Sequence, residues 1–308
     1  MTATLDRIAT TVTARRPFDA ALALAPARRG PYDPCFHAAA DGSIWRTSRQ
    51  PSGPVTFRIT QVDARTARCD AWGPGAPDLV DAVPALLGIH DDATAFAPSH
   101  PVLAEAHRRH PDLRIGRTNR VLEALVPAVL EQRVHSVAAY ASWRRLVTRF
   151  GEVAPGPAPQ GMRVSPAAET WRRIPSWEFH RANVDPARSR TIVRCAGVAD
   201  SLERLVDVPP DEAARRLRSV SGIGVWTAAE VAQRALGDAD ALSVGDYNLA
   251  AIVGWSLTGR PMDDEEMVAY LEPMRPHRYR AVRLLMLSGR AVKPKFGPRT
   301  PVTDHRWH

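Results

Sequence analysis

Apolar and polar residues alternate in short runs from Pro17 to about Ile89, whereas beyond Pro98 the apolar residues recur every three or four positions. The first spacing puts side chains on the two faces of a strand; the second gathers them on one face of a helix. Strands are therefore predicted over 18–24, 34–40, 43–48, 55–62 and 67–72. Turn signals at Asp41-Gly42, Pro51-Ser52-Gly53-Pro54 and Gly73-Pro74-Gly75 separate them, which predicts an antiparallel sheet with a helix over 78–87 lying on it. The expected fold class is α+β. An N-terminal α+β domain covers residues 1–97, a mostly α-helical region 98–292, and a basic, Pro-rich tail 293–308.

In the helical region, helices are predicted over 101–110, 136–150 and 186–206, the last capped by Asp185 and ended by Pro209-Pro210. Thr118 or Asn119 is the expected cap of a helix carrying Val121, Leu122, Leu125, Val129 and Leu130, with a kink at Pro127. A proline-bearing loop over 151–161 leads to a helix capped by Ser165.

Residues 217–249 are the most distinctive. Helical spacing runs through 211–218, stops at Val220-Ser221-Gly222-Ile223-Gly224 and restarts at Val225, so two helices meet at a Gly-X-Gly turn. Gly222 and Gly224 permit positive φ and keep Cβ atoms away from the amides opening the second helix, a place that suits a phosphate. An ordinary corner between helices satisfies the same pattern. Asp246 follows where a helix over 247–257 should begin, and an aspartate there is an N-cap. Amide donors favour its charged form, and an anion so fixed can stabilise a developing cation or orient a water.

Composition narrows the classes. The 308 residues, 44% of them hydrophobic, suffice for two domains with sizeable cores. Lys plus Arg number 41 against 33 Asp plus Glu, a net charge of +8 that favours a polyanionic partner such as nucleic acid. An arginine-rich composition set by a GC-rich genome gives the same excess. Cys35, Cys69 and Cys195 are scattered, which indicates neither a disulfide framework nor a zinc knuckle, and His37 and His90 read as structural. No apolar run reaches the ~18 residues of a membrane span, and no hydrophobic leader is seen, so the expected location is the cytoplasm with no membrane partner.

The stretches Ser221-Gly222-Ile223-Gly224, Trp226-Thr227-Ala228 and Asp246-Tyr247 together resemble the motif of the helix-hairpin-helix DNA glycosylases that carry a Gly/Pro-rich loop and a catalytic aspartate. The bacterial 3-methyladenine DNA glycosylase II branch is the most similar. Val129-Leu130-Glu131-Gln132-Arg133-Val134 resembles that family's DNA-intercalating segment, and Pro276-His277-Arg278 with Ala281 its last helix. The resemblance spans about residues 98–289, and it implies a scaffolding role for the N-terminal domain.

It further implies a base-excision-repair hydrolase, monomeric and associated with the bacterial nucleoid. Such an enzyme flips an alkylated purine of the 3-methyladenine type out of double-stranded DNA containing damaged bases and hydrolyses its N-glycosidic bond. Asp246 matches the catalytic aspartate, and Trp226 and Tyr247 match aromatics of the base pocket. Two further aromatic positions hold Glu230 and Met286; Glu230 either faces a cationic base or is solvent-exposed. Gly222, Ile223, Gly224 and Thr227 match the phosphate-holding hairpin. Gln132 and Arg133 match the residues that enter the duplex, with Arg133 where an apolar wedge is common; a helix-end glutamine bonded to backbone is the plainer account of Gln132. No cofactor is required by the resemblance, beyond a structural Na+ or K+ on the backbone carbonyls of Arg218, Val220 and Ile223. Bifunctional members place a lysine nucleophile where this chain has Trp226, so a monofunctional enzyme without lyase activity is expected. The alternatives are a glycosylase for hypoxanthine or an oxidised purine, and a non-catalytic damage-binding protein, which would not require Asp246.

Overall fold

The computed structural model describes residues 6–293 and Asp304. Five antiparallel strands, β1 (Arg7–Thr13), β2 (Phe36–Ala38), β3 (Ile44–Gln50), β4 (Gly53–Asp63) and β5 (Thr66–Trp72), form one sheet in the order β1-β5-β4-β3-β2. Register follows the alternation. Val55, Phe57 and Ile59 of β4 share a face with Ala71 and Cys69 of β5, and this face is sealed by Leu79, Val83 and Leu86 of a helix over Ala76–Leu86. Two expectations change here. The run predicted as a strand over 18–24 instead forms a short helix, α1 (Ala20–Leu24), because the Asp19 carboxylate caps it by accepting Leu22 N–H at 2.9 Å and the alanines that follow are strong helix formers. The strand at β1 was not read from the pattern, since this edge strand buries little and its alternation is faint.

Helix α2 (Ala76–Leu86) is followed by α3 (Pro101–Arg109), α4 (Val121–Leu130), α5 (Ser136–Phe150), α6 (Ala168–Arg173), α7 (Ser176–Arg181), α8 (Pro186–Gly197), α9 (Ala199–Glu203), α10 (Pro210–Arg218), α11 (Val225–Val231), α12 (Leu249–Thr258), α13 (Asp264–Leu271) and α14 (Arg278–Leu287). A two-stranded ribbon, β6 (Glu152–Val153) with β7 (Arg163–Val164), lies within and beyond the stretch expected as loop. Neither Thr118 nor Asn119 caps α4. The Glu203 carboxylate does so from α9, accepting Val121 N–H at 2.9 Å and Leu122 N–H at 3.0 Å while pairing with Arg120 at 2.7 Å. Ser165 is likewise no cap: α6 starts after Ala167, and the Ser165 carbonyl accepts from Arg49. Asp185 caps α8 as expected, but that helix ends at Gly197 rather than continuing to Val206. Of the predicted basic tail, only Lys293 and Asp304 fall within the described residues.

Three clusters of buried side chains result. The sheet and α2 enclose one; α4–α11 contribute to a second, around Leu125, Trp171 and Ile192; α3 and α12–α14 build a third, around Leu103, Val253 and Leu284. Charged contacts join the sheet to the helices. Glu123 of α4 accepts Arg46 at 3.0 Å and Ser48 Oγ–H at 2.6 Å, both on β3. Asp33 accepts the indole N–H of Trp143 on α5 at 2.9 Å.

Candidate active site

Helix α10 ends at Arg218 with Ser219 as its C-cap and α11 begins after Gly224, so five residues, Val220 to Gly224, make the corner. Ile223 is buried and anchors the turn in the second core, and its N–H bonds the Val220 carbonyl at 3.0 Å. Gly222 has φ +97, a left-handed conformation that suits glycine, and Gly224 is the N-cap of α11 with no side chain to satisfy the amides beyond it. Thr227 is buried in the first turn. Gln132 bridges to this corner from the loop after α4: its Nε2 donates to the Gly222 carbonyl at 3.0 Å and to Thr227 Oγ1 at 2.9 Å. Beside it Arg133 is exposed and holds φ +54, uncommon for a residue with a side chain. The intercalation-like loop and the hairpin are therefore one unit in space.

Asp246 stands three residues before Leu249, the first helical residue of α12. Oδ1 accepts Asn248 N–H at 2.9 Å and Leu249 N–H at 3.0 Å, and Oδ2 accepts the Trp226 indole N–H at 3.2 Å. The helix expected from Tyr247 thus starts at Leu249, because the carboxylate occupies the amides of residues 248 and 249 from outside. Trp226 stands on α11, whose Ala228 and Val231 belong to the second core, while Leu249 and Ala250 belong to the third. The Trp226–Asp246 bond crosses the seam between the two helical cores.

The other pocket candidates are placed differently. Tyr247 is 76% exposed beside Asp246, and Met286 is 44% exposed on α14. Glu230 is neither solvent-exposed nor free. Its Oε1 accepts Ser243 Oγ–H at 2.6 Å and its Oε2 pairs with Arg234 at 2.8 Å. Glu230 and Glu131 were named from the sequence, but not the partners they take, nor Arg29, which pairs with Glu131 at 3.2 Å next to the Gln132 loop. Burial pushes the Glu131 carboxyl above the ordinary carboxylate range, with Arg29 and Arg234 pulling the other way, and burial together with Arg234 lowers Arg29. Glu230 and Arg234 are four residues apart, a spacing that marks a pair on one helical face, whereas Arg29 and Glu131 lie on distant segments with no local signal.

Among the described residues no group of three or more His, Cys, Asp or Glu side chains is arranged to hold a metal ion, and no helix is long and apolar enough to cross a membrane. The three carbonyls assigned by resemblance to a monovalent cation lie at the corner. That of Val220 carries the Ile223 N–H, and a carbonyl keeps a second lone pair for a cation.

A sheet joined to helical layers, a Gly-X-Gly corner and an aspartate at the start of the following helix define the fold of the helix-hairpin-helix DNA glycosylases, and the chain has that fold. Superposition on the 3-methyladenine DNA glycosylase from Archaeoglobus fulgidus covers 91% of this chain and 98% of that one, with a TM-score of 0.74 and 18% identity. For the apo-form of the Clostridium acetobutylicum 8-oxoguanine glycosylase/lyase the figures are 93%, 99%, 0.68 and 11%. In sequence the chain is AlkA-like: over 261 residues it is 30% identical to the Mycobacterium tuberculosis protein named as probable bifunctional transcriptional activator/DNA repair enzyme AlkA. That match takes in 80% of this chain and 50% of the relative, so the chain spans half the length of the curated protein it resembles. No protein-family model matches the chain.

Proposed function

We propose that the chain is a DNA glycosylase that hydrolyses the N-glycosidic bond of alkylated purines in duplex DNA, flipping the base and acting without a lyase step. The observation that carries this reading is the 3.2 Å bond between the Trp226 indole and Asp246 Oδ2, beside a glycine corner. An indole is suited to a cationic base because its ring quadrupole attracts delocalised positive charge. As the base departs, positive charge builds on the sugar, and a fixed carboxylate lowers the cost of that charge or orients the attacking water. A base that already carries a positive charge leaves without a general acid. Trp226 and Tyr247 form the wall nearest Asp246, and Met286 is assigned to its far edge. The amides after Gly224, with Thr227, hold a phosphate, and a Na+ or K+ on the carbonyls of Arg218, Val220 and Ile223 would add positive charge beside it. Gln132 and Arg133 fill the gap left by the extruded base, where a guanidinium can stack and meet phosphate together.

Composition supports the reading without a lyase step: the two lysines, Lys293 and Lys295, both follow α14 in the sequence, and by resemblance Trp226 stands where a Schiff-base lysine would be needed. The test is release of free base from methylated duplex DNA, run beside hypoxanthine and 8-oxoguanine duplexes. Wild type should release methylpurine and leave strands that break only on treatment with alkali. Asp246→Asn should bind the same DNA within about threefold and lose at least about 10² in rate. Retained excision by that variant would remove Asp246 from its role, and strand breakage without alkali would refute the monofunctional assignment.

A further inference from the structure

Glu230 stands one helical turn after Trp226, and both its oxygens are committed away from any bound base. The side chain is 13% exposed, with Ser243 Oγ on one oxygen and Arg234 on the other. Arg234 is itself fixed by a 2.8 Å bond from its Nε to the Pro26 carbonyl in the N-terminal domain. Ser243 also receives Gln233 Nε2–H at 2.9 Å, and the same nitrogen donates to the Ala241 carbonyl at 2.9 Å. The Ser243 carbonyl then accepts the N–H of Asp246 at 3.2 Å. Between them lies Gly245, with φ +87 and nothing within 4 Å of the position a Cβ would take; its N–H bonds Asp264 at 3.0 Å.

We propose that Glu230 and Ser243 are positioning residues for Asp246, holding the turn that carries the carboxylate instead of lining the base pocket. The reading rests on the glycosylase assignment above. One helix sets both ends of the turn, its start through Glu230 and Ser243 and its carboxylate through Trp226. A glycine in the middle of the turn leaves it loose without that hold. A carboxylate displaced by about 1 Å from the developing charge loses much of its stabilising effect, so the contact acts on rate rather than on binding. The partly buried Arg234 keeps Glu230 in one rotamer and so transmits the stiffness of the domain junction to the turn.

The experiment compares Ser243→Ala, Glu230→Ala and Glu230→Gln with wild type and Asp246→Asn. Single-turnover base release should fall about 10- to 100-fold in the two alanine variants while DNA affinity stays within about threefold. Glu230→Gln, whose amide oxygen can accept from Arg234 while its NH2 donates to Ser243 Oγ, should recover most of the rate. If Glu230 instead contacted the base, Gln would be as impaired as Ala, discrimination between cationic and neutral lesions would change, and Ser243→Ala would be silent; that pattern overturns the proposal. A second readout needs no activity: backbone amide exchange across residues 241–250 of the DNA-free protein should quicken at least about tenfold in the alanine variants. Unchanged protection there overturns the proposal on its own. A wild-type protein that releases no base, but whose turn is loosened by Ser243→Ala, would refute the glycosylase assignment and support the hold on the turn.

Discussion

Two glycines, two positions apart, meet different constraints at the corner. A Cβ on Gly222 would lie 2.2 Å from Thr191 Oγ1, a hydroxyl already donating to the Ala187 carbonyl at 2.9 Å, and the φ of +97 is strained for any L side chain. Gly224 has extended backbone, φ −93 and ψ −175, with no atom within 4 Å of the same position. Gly222→Ala should therefore destabilise the fold by more than about 2 kcal/mol, lowering Tm in a thermal melt. Gly224→Ala should cost at most about 1 kcal/mol as a poorer N-cap and weaken DNA binding at least about tenfold, because the space it fills is where a phosphate would approach. A Gly224→Ala protein with undiminished affinity would move the phosphate elsewhere. The Gly-Ile-Gly spacing was legible in the sequence. Which glycine serves the fold was not, since Thr191 belongs to α8, and the bond from Gln132 to the Gly222 carbonyl was equally hidden. Asp246 and Trp226 were singled out together by resemblance to a motif; their periodicity alone gave an N-cap and an apolar helix position.

Caps decide how the elements reach the site, and here sequence reading had mixed success for a physical reason. Asp185 is a local cap: its Oδ1 accepts Ala187 N–H at 2.9 Å and Arg188 N–H at 3.1 Å, two and three residues on. Glu203 caps α4 from another helix, which no local rule reveals. The Asp185 cap supports α8, which places Thr191 against Gly222 and sends Arg188 Nη1 to the Leu130 carbonyl at 2.7 Å, the last residue of α4 before the Gln132 loop. Burial raises the Asp185 carboxyl, but Arg188 and the two amides lower it by more, so it lies below its ordinary 3.8. A depressed carboxylate contributes its stability fully above the unfolded pKa and loses it as pH falls through the folded value. Asp185→Ala should thus cost about 1–2 kcal/mol at pH 7, with the gap to wild type narrowing only below about pH 4. Denaturant unfolding of both proteins between pH 7 and pH 3 checks this, and a gap that widens in acid would contradict it.

At the scale of the whole molecule, apolar packing joins the sheet to α2, while a buried ion pair ties β3 to α4. Arg46 and Glu123, whose side chains are 5% and 16% exposed, pair at 3.0 Å, and Glu123 also takes the Ser48 hydroxyl. Truncating one partner leaves the other buried and uncompensated. Glu123→Ala should destabilise the chain by about 3–5 kcal/mol, measured as a shift in the denaturant midpoint, whereas Asp246→Asn should leave that midpoint nearly unchanged. The sequence by itself determined the α+β class, most of the strands, the helix limits at α3 and α5, the glycine corner and the residues matching a repair motif. Those features depend on neighbours within a few residues, where alternation, helical spacing and turn chemistry act. Only the tertiary structure decided that Glu203 caps α4, that Glu230 turns to Ser243 and Arg234, that Gln132 grips the hairpin, and that Asp246 meets Trp226 across a seam between cores. Apart from the Glu230–Arg234 pair, four residues apart, these are contacts between separate segments of the chain, and their geometry exists only once those segments have packed against one another.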